Sequence, residues 1–155
     1  MANAKIERVG PEEYDLICDL YNAVYRPHVD PTFFGRRLTH RRSVLTMVAH
    51  LDSRPVGFSC GYELRPSTYY SWLYAVLPDA RQMSVGSQLM AAELSWAEEQ
   101  GYEMARLECY NQYRPMILLA VKNGYNIVGI RWDAHTSNNL VIFEKILASE
   151  DEGGA

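Results

Sequence analysis

One stretch of this chain has the residue types and spacing to bind an anion. It reads Val76-Leu77-Pro78-Asp79-Ala80-Arg81-Gln82-Met83-Ser84-Val85-Gly86-Ser87-Gln88-Leu89-Met90. A strand pattern ends at a proline, a short polar loop follows, and an amphipathic helix begins near a glycine. Such a loop aims backbone N–H groups at one point, and the positive end of the helix dipole adds to the field there. Gly86 lets a ligand approach the backbone closely, and Arg81 carries the planar fork that suits phosphate oxygens. The same residues also fit a plain strand-to-helix turn with a solvated arginine. Taken alone, the segment leaves both readings open.

Other chemistries find less support. Cys18, Cys60 and Cys109 are odd in number, far apart and form no CxxC pair, which points to a reducing cytoplasm. Cys109 lacks a suitably spaced histidine to make it a nucleophile, so a small buried hydrophobe is its default role. His28, His40, His50 and His135 share no metal-ligand spacing, and no metal site is expected. The chain has 155 residues, 48% hydrophobic and 22% charged, as expected of one globular domain. Its net charge of −4 argues against sequence-blind nucleic-acid binding, which needs a dense basic footprint. No apolar run approaches the ~18 residues of a membrane span, and the opening MANAKIERVG lacks the apolar core of a signal peptide. Tyrosine, which both packs and donates protons, supplies 11 of the aromatic residues against 3 tryptophans and 4 phenylalanines.

The elements that must position these residues follow from patterning. Gly10-Pro11-Glu12-Glu13 signals a helix start, with Ile17, Leu20, Tyr21 and Val24 on one face and Arg26-Pro27-His28 as the stop. A weaker helix covers Thr32 to Thr39 and runs into Arg36, Arg37, His40, Arg41 and Arg42. Val44 to Leu51, Val56 to Leu64 and Thr68 to Leu77 read as an antiparallel meander turned at Asp52-Ser53-Arg54-Pro55 and Arg65-Pro66-Ser67. A long helix from about Val85 to Gln100 has the apolar stripe Val85, Leu89, Ala92 and Trp96, and Gly101 ends it. Met104 to Tyr110 is a strand, Pro115 opens a helix that Asn123-Gly124 closes, and Tyr125 to Arg131 and Leu140 to Ile146 are the last strands. The order βααβββαβαββ predicts an α/β (α+β) fold: a single mixed, mostly antiparallel sheet of about seven strands flanked by about four helices. Residues 1–148 are read as one domain and 149–155 as a disordered acidic tail.

In this order of elements the loop resembles the GCN5-related N-acetyltransferases (GNAT). Their pyrophosphate loop, Val-x-Pro-x-x-Arg/Gln-x-x-Gly-x-Gly/Ala, is matched by Val76, Pro78, Arg81 and Gly86, with Ser84 in place of the first glycine. Leu107-Glu108-Cys109, the helix from Pro115, and Gly124-Tyr125 match the downstream signature, and Asn111-Gln112-Tyr113-Arg114-Pro115-Met116 resembles a motif of one branch. The strand–helix order agrees from Lys5 to Leu147. The resemblance implies acetyl-CoA as cofactor, with Val76 and Leu77 offering backbone groups to pantetheine. It implies Arg81, Gln82, Met83, Ser84, Val85, Gly86 and Ser87 around the pyrophosphate, and Asn111 and Arg114 on the cofactor's far side. Serine tolerates a left-handed backbone less well than glycine, so Ser84 predicts a slightly altered loop.

The resemblance also implies roles for acids and bases. Glu108 matches the strand glutamate that serves as base in the branch acetylating ribosomal-protein N-termini. That branch's acid tyrosine lies twelve residues on, where this chain has Ala120. Tyr110 and Tyr113 are the nearby candidates for the acid, with Tyr110 preferred. The histone-type base position is Tyr70 here, and Glu63 is a second candidate carboxylate. By position, Phe33, Phe34, Asp133, His135 and Asn138 border the acceptor. The activity implied is transfer of an acetyl group to a primary amine of a small molecule, by direct attack, in a cytoplasmic protein and a homodimer. The competing expectation, motivated by Ala120 and Ser84, is a non-catalytic acyl-CoA-binding or regulatory module of the same fold.

Overall fold

Residues 3–147 are described by the structure, a computed structural model, and the acidic tail at 149–155 lies outside them. Asp52 and Ser53 both adopt positive φ, the two-residue turn that matches strand twist. They join β2 (Leu45–Leu51) to β3 (Arg54–Arg65), and a turn at Ser67 joins β3 to β4 (Thr68–Val76). With β1 (Lys5–Val9) these strands form an antiparallel meander. A 3-10 turn, Pro78–Met83, then leads into α3 (Val85–Glu99), which carries the chain over to β5 (Met104–Tyr110). This crossover makes β5 parallel to β4. α4 (Arg114–Lys122) precedes the closing hairpin of β6 (Asn126–Asp133) and β7 (Asn138–Ile146). The seven strands run in the order β1-β2-β3-β4-β5-β7-β6, the mixed sheet expected.

Helices cover both faces of the sheet. α1 (Tyr14–Val24) and α2 (Thr32–Leu38) bury Ile17, Leu20, Phe34 and Leu38 against Val48, Phe58 and Tyr62. α3 and α4 bury Leu89, Met90, Leu94 and Ala120 against Leu45, Leu107 and Phe143 on the other. Element boundaries agree with the sequence patterns to within a few residues at each end. The stripe on α3 does not. The helix buries Val85, Leu89, Met90, Glu93, Leu94 and Ala97, while Ala92 and Trp96 stay partly exposed. Glu93 therefore lies on the row 85-89-93-97, where a 3.6-residue period calls for an apolar residue.

Two irregularities shape the site. β4 and β5 pair only from Thr68 opposite Met104 to Ser71 opposite Leu107 and then diverge, leaving residues 72–76 and 108–110 without a partner across the gap. At that point the register with β3 jumps from Gly61–Ser71 to Cys60–Leu73, which makes Trp72 a bulge. The extra residue reverses the alternation of side chains. Tyr69, Ser71 and Tyr74 face α3, whereas Tyr70, Trp72, Leu73 and Ala75 face α1 and α2.

Candidate functional site

The gap between β4 and β5 opens into a cleft of about 1080 Å³ that crosses the sheet. The loop between β4 and α3 borders one mouth, with Arg81, Gln82, Ser84, Gly86 and Ser87 in the wall and Leu119 of α4 opposite. The hydrogen-bond ladder of α3 begins with Gln88 N–H to the Ser84 carbonyl at 3.0 Å. The N–H groups of Val85, Gly86 and Ser87 therefore fall outside that ladder, at the positive end of a helix of 15 residues. A Cβ on Gly86 would lie 3.2 Å from Leu119 Cδ2, so glycine permits the close approach of α3 and α4 here. Arg81 turns back and donates through Nε to the Val76 carbonyl at 3.0 Å.

Ser84 keeps the left-handed conformation that the usual glycine would take, with φ 62° and ψ 21°. The strain of a left-handed backbone sits at this residue. Ser84→Gly is expected to raise stability by up to about 1 kcal/mol, the left-handed penalty less the added freedom of the unfolded chain. Denaturant unfolding checks this, and a less stable variant would remove the strain argument.

Val76 and the loop residues named above share the cleft, but five of the expected cofactor contacts are not in its wall. Leu77 gives its N–H to Val56 and accepts from Ala80, so its backbone groups are already paired. Val85 is fully buried and Met83 is exposed. Asn111 N–H donates to Asn139, and Arg114 Nε donates to the Asn111 carbonyl at 2.7 Å, closing the turn before α4. Their neighbours Gln112, Tyr113 and Pro115 line the cleft instead.

The other mouth opens on the α1 and α2 face, where Tyr21, Tyr25, Trp72, Glu108, Tyr110 and Tyr113 line it. Glu108 Oε2 accepts from Arg106 Nη2 at 3.0 Å and Nε at 3.2 Å, and Glu144 takes Arg106 Nη1 at 3.0 Å. Glu108 Oε1 has no hydrogen-bond partner among the described residues. Arg106 thus orients Glu108, a residue of the cleft wall, and leaves its other oxygen unpaired. Tyr110 donates to Asp133 Oδ2 at 2.6 Å, a bond that holds the phenol above its ordinary range and Asp133 below its own. Tyr25 donates to the Tyr74 carbonyl, and burial pushes it up to about 12. Burial also pushes Cys109 up to about 11, which leaves little thiolate for nucleophilic chemistry near neutral pH.

The remaining candidates divide between core and surface. Phe34 is fully buried, while Phe33 stacks on Trp72 at 5.6 Å. Glu63 accepts from Tyr102 at 2.9 Å, away from the cleft. His135 N–H donates to Asp133, and Asn138 donates to Gln112. Glu93 is the residue that pattern reading passed over. It is 0% exposed and accepts from Tyr69 (2.7 Å), Ser71 (2.6 Å) and Tyr74, directly beneath the point where β4 and β5 part. The available signal was a lone carboxylate on the buried row of α3.

The family profile described as the acetyltransferase (GNAT) family matches residues 11–125. The chain belongs to this family. None of the curated protein sequences matches it. Solved structures carry the same GNAT fold. The ribosomal-protein-S18-alanine N-acetyltransferase from Escherichia coli has a TM-score of 0.82 at 15% identity, covering 96% of this chain and 98% of its own. Ard1 from Thermoplasma volcanium has a TM-score of 0.79 at 22% identity, covering 94% and 99%. yncA from Salmonella typhimurium, solved with its cofactor acetyl-CoA, has a TM-score of 0.75 at 14% identity, covering 96% of each. GNAT enzymes are acyltransferases that use acetyl-CoA. The cleft suits that group in outline: an unpaired strand edge, then backbone donors at a helix N-terminus. No helix among the described residues is long and apolar enough to cross a membrane.

Proposed function

We propose that residues 1–148 form a single acyltransferase domain, an acetyl-CoA-dependent N-acetyltransferase that acts on a primary amine of a small molecule. The observation that carries this reading is one cleft with an anion-binding loop at one mouth and an oriented carboxylate, Glu108, at the other. Bound acetyl-CoA supplies an activated acyl thioester. The N–H groups of Gly86 and Ser87, with Arg81 and Gln82 alongside, hold the pyrophosphate. Backbone groups of β4 from 72 to 76, Val76 among them, line the slot for the pantetheine arm. Met83, Leu77, Asn111 and Arg114 shape the same loops from outside the cleft wall.

Glu108 takes the proton that the attacking amine must lose, through Oε1, while Arg106 fixes the carboxylate's direction. Tyr110, two residues along β5, is the acid, and its hydroxyl must turn from Asp133 to give its proton to the leaving thiolate. The free cysteines Cys18, Cys60 and Cys109 fit a reducing, cytoplasmic setting. The reading includes a homodimer, because β6 is an edge strand with Ile127, Val128, Ile130 and Trp132 exposed. Two such edges can pair antiparallel about a two-fold axis.

Calorimetric titration with acetyl-CoA, with ATP as control, tests the cofactor, and thiol detection over an amine panel tests turnover. Binding of acetyl-CoA but not ATP, with free CoA released on adding an amine, is the expected result. Binding with no release from any amine favours the second reading, a non-catalytic acyl-CoA-binding module. Ala120, buried where one branch of the family has its acid tyrosine, is the observation on its side. Glu108→Gln is expected to lower kcat/KM by about 10²-fold, as for loss of a general base. The loss should be greatest at low pH and shrink as the amine deprotonates unaided. A pH profile parallel to that of the wild type would remove Glu108 from the base role.

A further inference from the structure

The chain is acidic overall, yet from Pro31 to Leu51 it contains no Asp or Glu and four arginines, Arg36, Arg37, Arg41 and Arg42. The fold gathers two of these on one ring. The Arg37 guanidinium lies 5.9 Å and that of Arg41 4.6 Å from the ring centre of Tyr62 on β3. Arg37 also lies 4.8 Å from the ring of Trp72, which lines the cleft, and its Nε donates to Tyr62 Oη at 3.1 Å. Neither the terminal nitrogens of Arg37 nor the side chain of Arg41 has a hydrogen-bond or ion-pair partner among the described residues. The nearby carboxylates are committed elsewhere: Glu108 and Glu144 to Arg106, Glu63 to Tyr102, and Asp30 to Thr32.

Two like charges are therefore held on one ring with their donor edges open, Arg37 against the Trp72 wall of the cleft and Arg41 at the border of a neighbouring pocket. Stacking fixes the planes, the Tyr62 hydroxyl fixes the rotation of one, and no internal carboxylate balances either. Such an arrangement suits an oxyanion gripped from two sides. Its position relative to the cleft is set by the sheet. Tyr62 pairs with Tyr70, Tyr70 with Arg106, and Glu108 lies two residues beyond Arg106 on the same face. Two strand spacings separate β3 from β5, about 10 Å, and the two residues along β5 add about 7 Å at right angles, so Tyr62 and Glu108 lie about 12 Å apart.

We propose that Arg37 and Arg41 form an anion clamp for the acceptor, whose substrate class is a small primary amine carrying a carboxylate or phosphate-like end about 12 Å from the amine. The clamp deepens the acetyltransfer reading above, because it names the acceptor of the same cleft. Arg36, whose Nη1 turns back to Thr32 Oγ1 at 3.2 Å, and Arg42 lie outside it.

Two measurements test this. In the first, arginine-labelled apoprotein is titrated with glutarate and, separately, with inorganic phosphate while the side-chain Nε–H signals are followed by NMR. Arg37→Lys and Arg41→Lys assign the signals. Saturable shifts of Arg37 and Arg41 that exceed those of Arg36 and Arg42 are expected, and equal shifts for all four would overturn the clamp. This arm needs no acetyl-CoA, so it judges the clamp even if acetyl transfer fails. In the second, a series of ω-amino acids of increasing length is compared with their methyl esters as acceptors. The free acids should be preferred about 10- to 100-fold, through KM, at one chain length, the ratio that one or two charge-assisted hydrogen bonds supply. Combining Arg37→Ala with Arg41→Ala should erase the preference, and Arg36→Ala or Arg42→Ala should leave it. Anion binding without any acid-over-ester preference would detach the clamp from the acceptor and overturn the proposal.

Discussion

Gly86→Glu is expected to abolish measurable acetyl-CoA binding in a protein that still folds. The substitution acts in two ways at the mouth of the cleft. A Cβ at 86 meets Leu119 Cδ2 at 3.2 Å, a contact that a flexible leucine can yield to. The carboxylate beyond it is set beside the N–H groups of Gly86 and Ser87, where the pyrophosphate is proposed to sit. A like charge about 4 Å away costs about 1 kcal/mol in water and about 4 kcal/mol near a protein surface. The loss in affinity should thus reach about 10²- to 10³-fold. Gly86→Ala separates the two effects, since it adds the Cβ without the charge and should cost far less. Calorimetric titration of all three proteins, with thermal unfolding as a check on the fold, decides the matter. A folded Gly86→Glu protein with unchanged affinity would move the cofactor's phosphates away from this loop.

Glu93→Ala is expected to destabilise the protein by about 3–5 kcal/mol, the range for removing one member of a buried charged network. The hydroxyls of Tyr69, Ser71 and Tyr74 would lose their acceptor inside the core, and each unsatisfied buried donor costs about 1–3 kcal/mol. Glu93→Gln keeps the shape and one acceptor and should cost less. The pair also has a pH signature. Burial raises the Glu93 carboxyl above its ordinary value of 4.5, and the three hydroxyls only partly offset this. Between the unfolded and folded values, the native protein holds a proton that the unfolded chain has released. The contribution of Glu93 to stability is therefore greatest below about 4.5 and falls as pH rises toward the folded value, so it is read from the difference between wild type and Glu93→Gln. Denaturant unfolding from acid to neutral pH should show this decline in the wild type and its loss in Glu93→Gln. Parallel stability curves for the two proteins would mean that Glu93 titrates as an ordinary carboxyl.

These two residues mark the limits of a reading by pattern. Gly86 was legible because its role depends on local order: strand, proline, polar loop, glycine, helix. Ser84 was legible as a departure from glycine, and the residue adopts the left-handed backbone that serine takes less readily. Glu93 was passed over because Ala92 and Trp96 made an alternative apolar row. Only packing against Tyr69, Ser71 and Tyr74 selected the row that contains the glutamate. Glu108 could be named from Leu107-Glu108-Cys109, but its bond to Arg106 joins side chains on one strand face, and Glu144 enters from a strand far along the chain.

The sequence by itself determined the order of elements, the turn at Asp52-Ser53, the start of α3 and the strand–proline–loop–helix order over residues 76–90. Each depends on contacts within a few residues, where backbone preference and hydrophobic period act directly. The tertiary structure alone decided what lies across from what. It parted β4 from β5 after Ser71, reversed the facing of β4 at the Trp72 bulge, and laid Arg37 and Arg41 on the ring of Tyr62. Those outcomes depend on strand register and on helices that cross the sheet. They bring together residues tens of positions apart, for which no local pattern carries the information.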